Sequence, residues 1–255
     1  MHRPAAIPVA VTLVQLAVAV LSSTPGGPAR AQPADAPQAV YDSFEALLGG
    51  REQREIYALP PERYWRATGP LQVRLLGGRD FGLAPALVAL AQEFGDVAGI
   101  DIGVEASALA MMPEAGKAGD LVILIVARPL GAEFAAGLGL DAEMRRRFAD
   151  GRWPALFRFR RDDLSLAGRR SGVVILADDL KPAEIETFLA LAMVWTMGGA
   201  SIGDEFGAIV SIAGRPHLTE RGRRVFALMY DPALTLGQPL DETRAAARRR
   251  LGLSG

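Results

Sequence analysis

A helix built from Ile185 to Met197 has almost no polar side to turn toward water, and this constrains the chain more than any other feature. Ile185, Phe188, Leu189, Leu191, Ala192, Met193, Val194, Trp195 and Met197 surround its axis. A helix apolar all round has to be packed all round. Pro182 in a first turn, with Glu184 and Glu186 near the positive end of the helix dipole, predicts where it opens, and Gly198 with Gly199 predicts where it stops. Covering such a rod takes a sizeable core, and a chain of 255 residues that is 50% hydrophobic can supply one.

The remaining pattern mixes strands and helices. Leu71, Val73 and Leu75 alternate with Gln72 and Arg74, as in a half-buried strand, and Ile100, Ile102 and Val104 alternate with Asp101, Gly103 and Glu105. Leu121 to Val126 is a continuous apolar run that suits a strand covered on both faces, and Val173 to Ala177 reads the same way. Phe157 and Phe159 alternate with Arg158 and Arg160 in a further strand. Helices are predicted from Asp42, where Glu45 completes capping-box spacing, to Gly49, and from Asp80 through Leu83, Leu87, Leu90 and Phe94 to a stop at Gly95. Others are expected over 131–138, 141–149, 219–230 and 241–251. Gln32 to Gln38 is rich in alanine and proline and reads as a disordered lead-in, with one globular domain from residue 40 onward.

The first residues look like an address. A charged start at Arg3, an apolar centre from Ala5 to Leu21, and Ala29-Arg30-Ala31 before Gln32 fit a secretory signal peptide over residues 1–31. A retained anchor is the alternative, but Pro8 and Gln15 interrupt a segment already short of the roughly 20 residues a span requires. The expected location is therefore periplasmic or secreted, with no membrane span after cleavage. Losing Arg3 and Arg30 takes the net charge from −1 to −3, which argues against nucleic acid as a partner. The arginine clusters at 145–147, 158–161, 221–224 and 248–250 read as solvated faces interspersed with acids.

Residue scarcity narrows the chemistry further. The chain has no cysteine, and His217 is its single histidine beyond the leader. Neither a thiol nucleophile nor a histidine-rich zinc site can be built from this set. Gly199-Ala200-Ser201-Ile202-Gly203 matches G-x-S-x-G, with Asp204 and His217 following in the order serine, acid, histidine. That motif works on a strained turn from strand into helix, whereas here it follows a helix, so a glycine-rich helix exit is the plainer reading. Asp204, Glu205 and His217 could form a set of two carboxylates and one histidine for zinc or manganese, set against an exposed loop histidine behind Pro216. Asp178 and Asp179 are adjacent, so on an extended chain they point opposite ways and read as helix-entry acids. Trp65, Trp153 and Trp195 read as packing residues.

The stretch Leu218 to Arg244, LTERGRRVFALMYDPALTLGQPLDETR, resembles the C-terminal signature of an uncharacterised proteobacterial family of mostly exported proteins, domain of unknown function 2927. Leu218 and Thr219 match the pair that opens a helix in that family, and Tyr230, Asp231 and Pro232 match its closing triplet. Gly237 matches the glycine of the following turn, with Leu236 and Gln238 in place of its proline and methionine. The family resembles zincin-type metallopeptidases in layout. The resemblance therefore implies an α+β fold, with a mixed sheet of about five strands packed with helices. It also implies a helix carrying adjacent glutamates and a glutamine. In this chain that helix is the one ending at Met197, where Leu191 and Ala192 stand at the acidic positions and Trp195 at the glutamine. A zincin needs two histidines one turn apart and a glutamate base, and this helix has none of them. The expected function is thus a non-catalytic relative that binds an envelope protein or cell-wall component, with no cofactor. The alternative is a hydrolase using Ser201, Asp204 and His217, or a metal held at Asp204, Glu205 and His217.

Overall fold

The apolar rod of the sequence is a helix from Pro182 to Met197, and every residue from Thr187 to Met197 is buried. The computed structural model describes residues 36–77, 82–107, 120–161, 170–200 and 203–253, and the segment read as a signal peptide lies outside them. In chain order these residues form α1 (Pro37–Leu48), α2 (Arg51–Ile56), β1 (Leu71–Gly77), α3 (Leu83–Ala98), β2 (Ile102–Ser107), β3 (Asp120–Val126), α4 (Arg128–Gly137) and α5 (Ala142–Ala149). There follow β4 (Ala155–Arg161), β5 (Arg170–Ala177), α6 (Pro182–Met197), α7 (Phe206–Ile209), β6 (Val210–Ser211), β7 (His217–Leu218), α8 (Glu220–Met229) and α9 (Leu240–Arg250). None of the described helices is long and apolar enough to cross a membrane.

The fold is α+β around a mixed five-stranded sheet in the order β2-β1-β3-β5-β4. β1 runs parallel to both β2 and β3, β3 runs parallel to β5, and β4 is antiparallel at one edge. The continuous apolar run of β3 sits at the centre, in register with Gly172 to Ala177 of β5. Strand alternation divides its side chains between two cores. Leu121, Ile123 and Ile125 join the large cluster that includes α1, α3, α6 and α8, while Val122, Leu124 and Val126 join a smaller one with α4 and α5. A strand with helices on both faces has no solvated side, which is why this one lacks polar alternation.

Among the differences from the sequence expectation, two boundaries and one helix have a clear physical reason. α1 begins at Pro37 rather than Asp42, within the stretch read as a disordered lead-in. Pro37 is a favourable first helical residue, and Ala39, Val40, Tyr41 and Phe44 give this early turn an apolar face to bury. α3 runs through Gly95 and stops at Gly99, which has the left-handed φ of 68° suited to a helix end. Gly95 is needed for close approach instead, since a Cβ there would lie 2.8 Å from the Ile100 carbonyl oxygen. α2, with no apolar periodicity, was not foreseen; Asp80, read as a helix cap, lies outside the described residues.

α2 is held by its one buried residue, Arg54. The Arg54 guanidinium donates from Nε to the Pro60 carbonyl at 2.8 Å, from Nη1 to Leu48 at 2.8 Å and from Nη2 to Arg63 at 2.7 Å. Burial lowers its pKa to about 10, and the three carbonyls offset the cost of desolvating the cation. The fork thereby fixes the turn from α1 into segment 60–66, which pairs with the C-terminal region through Tyr64 N–H to Gln238 O, Gly237 N–H to Tyr64 O and Leu240 N–H to Glu62 O. Arg54→Ala strands two buried carbonyls and one partly buried one, each costing about 1 kcal/mol or more. Urea denaturation is expected to register a loss of about 3 kcal/mol, of which Arg54→Lys restores only part, because an ammonium cannot reproduce a planar fork.

Candidate functional site

The positions where the resemblance places catalytic groups lie on α6, and they are dry. Leu191 and Ala192 are buried, and Trp195 is 6% exposed. Trp195 packs against Phe157 and Phe159 of β4 with ring centroids 5.0 and 6.3 Å away, and against Tyr57, which follows α2, at 5.3 Å. Tyr57 in turn stacks on Phe157 at 5.5 Å and 10°. Four rings thus fill the space between the last turns of α6 and the antiparallel edge strand. Gly172 of β5 completes the arrangement, since it pairs with Phe159 and a Cβ there would lie 2.4 Å from that ring. The two phenylalanines were legible as strand alternation. Tyr57 was not, because nothing in a loop sequence marks which face it will cover.

The polar candidates gather less than their spacing suggests. Ser201 lies outside the described residues, and Asp204 is described by its backbone alone, in a 3-10 turn over Gly203–Glu205. Glu205 is engaged on α1, where its Oε2 accepts from Ser43 Oγ at 2.5 Å, with Arg221 at 4.0 Å. His217 sits exposed on β7, paired with Ser211 of β6, and its Nδ1 lies 2.9 Å from the Arg215 carbonyl oxygen. The carboxylate that reaches this hairpin is Glu93 of α3, which sequence reading missed. Glu93 accepts from the Leu218 N–H at 2.7 Å and pairs with Arg223 of α8. Among the described residues, no three histidine, aspartate or glutamate side chains are grouped so as to hold a metal ion. Asp179 forms a two-toothed pair with Arg128 at 2.7 and 2.8 Å, fastening the entry of α6 to that of α4.

The residues that carry the family resemblance do structural work. Thr219 caps α8, accepting from the Gly222 N–H and donating to the Ala208 carbonyl. Tyr230 Oη donates to the Met197 carbonyl at 3.0 Å, satisfying the buried C-terminus of α6. Asp231 Oδ1 accepts from the Ala233 N–H at 2.8 Å, and Oδ2 accepts from Arg250 Nε at 2.6 Å. These bonds, the backbone one foremost and then Arg250, hold its carboxyl below the usual aspartate range. Two of the other arginine clusters are threaded with acids, through Arg146 and Arg147 with Glu143, and Arg224 with Glu220. Trp65 and Trp153 are buried packing residues, as expected.

A surface concavity is lined by none of these groups. α3 and the edge strand β2 border a groove of about 600 Å³ lined by Val88, Ala91, Asp96, Asp101, Ile102 and Val104. Compared with protein-family models, curated proteins and solved structures, the chain matches none.

Trp195→Ala is expected to cost about 3–5 kcal/mol in denaturant unfolding, as for other large-to-small changes in a core. The exposed His217→Ala should stay within about 0.5 kcal/mol of the parent. Asp231 supplies a test by pH. Its depressed folded pKa means that its stabilisation is complete above the unfolded value of about 3.9 and is lost as pH falls through the folded value. Asp231→Asn should therefore lower stability at pH 7, and the gap from the parent should close as acid is added, as followed by thermal melts from pH 7 to pH 2.

Proposed function

We propose that this chain is an exported, non-catalytic relative of the zincin-like family it resembles, domain of unknown function 2927, and that it acts in the envelope by binding a protein or cell-wall partner. The observation that carries this reading is the burial of Leu191, Ala192 and Trp195, the positions where two acids and a glutamine belong. A general base has to reach the proton it abstracts, and a metal-bound water has to reach the substrate. Aliphatic side chains inside a core do neither, and the three rings around Trp195 fill the space beside this turn of the helix.

Support for the family comes from the five-stranded sheet with its single antiparallel edge strand, followed by the helix where the resemblance expects it. Support for export comes from the sequence of residues 1–31. The hydrolase alternative draws little from the site, because Glu205 and His217 are turned to different partners.

With zinc added, the mature protein is expected to leave casein intact, and a fluorophosphonate should leave Ser201 unlabelled. Crosslinking in cells should then give a defined envelope adduct that the Ser201→Ala, His217→Ala double variant retains. Chelator-sensitive casein cleavage, or loss of the adduct in the double variant with folding preserved, overturns the reading.

A further inference from the structure

We propose that the groove between α3 and β2 docks an extended, basic segment of a partner protein, which adds to the sheet along β2 and sets its cationic side chains against Asp96 and Asp101. This deepens the binding reading above and rests on it. Three observations converge on the one surface.

The first is an open sheet edge. β2 ends the strand order and, among the described residues, pairs only with β1, so that among them no strand takes up its outer N–H and C=O groups. Proteins commonly blunt such an edge or cover it, and an edge left open is a recognised docking mode for extended peptides.

The second is apolar surface beside that edge. Ile102 and Val104 share one face of β2 and are only half-buried, and across the groove Val88 of α3 is 48% exposed. Alternation along an added strand would place every second side chain over this face. The groove volume of about 600 Å³ falls within the range typical of ligand sites and is ample for such side chains.

The third is charge. Asp96 and Asp101 line the same groove, both are exposed, and neither forms an ion pair among the described residues. Several other carboxylates near a helix surface do have an arginine, including Glu93, Glu143, Glu205 and Glu220. The opposite edge strand, β4, exposes Arg158 and Arg160 instead. Among the described residues, the groove beside β2 presents carboxylates and β4 presents guanidinium groups, so a partner selected by β2 is the basic one.

The test uses the mature chain and two fluorescein-labelled hexapeptides, one alternating lysine with valine and the other glutamate with valine, read by fluorescence anisotropy. The lysine peptide is expected to bind saturably and the glutamate peptide at least tenfold more weakly. Val88→Asn, which removes the apolar contact without adding charge, and separately the Asp96→Lys, Asp101→Lys double variant, should each weaken the lysine peptide at least tenfold with unchanged thermal midpoints. The Glu133→Lys, Glu242→Lys variant makes the same charge change on exposed sites elsewhere and should bind like the parent. N-methylation of alternate peptide amides should abolish binding by removing the strand-pairing donors. Absence of saturable binding, or binding indifferent to the groove substitutions, overturns the groove and leaves the non-catalytic reading standing. That reading fails separately, on casein cleavage.

Discussion

Because every residue from Thr187 to Met197 is shut off from solvent, α6 must be enclosed by other elements and its backbone ends must be satisfied without water. β5 lies under it and α3 beside it, while the rings of Tyr57, Phe157 and Phe159 close over Trp195. The C-terminal carbonyls of the helix find donors from distant parts of the chain. Gly198 and Gly199 close back onto Trp195 and Val194, and Ala67 N–H and Tyr230 Oη both donate to Met197. The two buried threonines on the helix turn their hydroxyls back to Ala183 and Ala192, one turn earlier. Segment 62–67, the C-terminal triplet and the aromatic cluster are all arranged by the need to keep one apolar helix dry.

The same need explains why residues that look like a functional signature serve here as joints. Tyr230 reaches α6, Asp231 fastens Arg250 of α9, and Arg66 donates to the carbonyls of Met229 and Asp231. Tyr64, whose phenol pKa burial pushes up, donates to the same Met229 carbonyl. Helix α8 is held to α3 by the edge-to-face pair Phe94 and Phe226 at 4.7 Å and by Glu93. Removing these signature residues would open the end of a buried helix.

Much of the secondary structure was legible in the residues. β1, β3, β5 and α6 carry apolar patterns with only one favourable solution each, and Asp141 and Thr219 mark helix starts through side chains that accept backbone N–H groups. The misses share a cause. α2 has no apolar face, and its place is fixed by a buried arginine whose three acceptors lie in other segments. Glu93 looks like any solvent-side glutamate of an amphipathic helix until the β6–β7 hairpin is folded against it. Gly95 reads as a stop, yet it serves the close approach of Ile100.

The sequence by itself determined that an apolar helix would lie at the centre, that thiol and multi-histidine chemistry were out of reach, and that strands and helices would mix. These follow from residue identity and period, which act over one or two turns of chain. Tertiary structure alone decided that the carboxylates near His217 would be spent on Ser43, Leu218 and Arg223. It also decided that β2 and β4 would form the two edges of the sheet and that β2 would border a groove. Partner choice among polar side chains, and the exposure of a strand's edge, depend on which segments meet in space, and local pattern does not encode that.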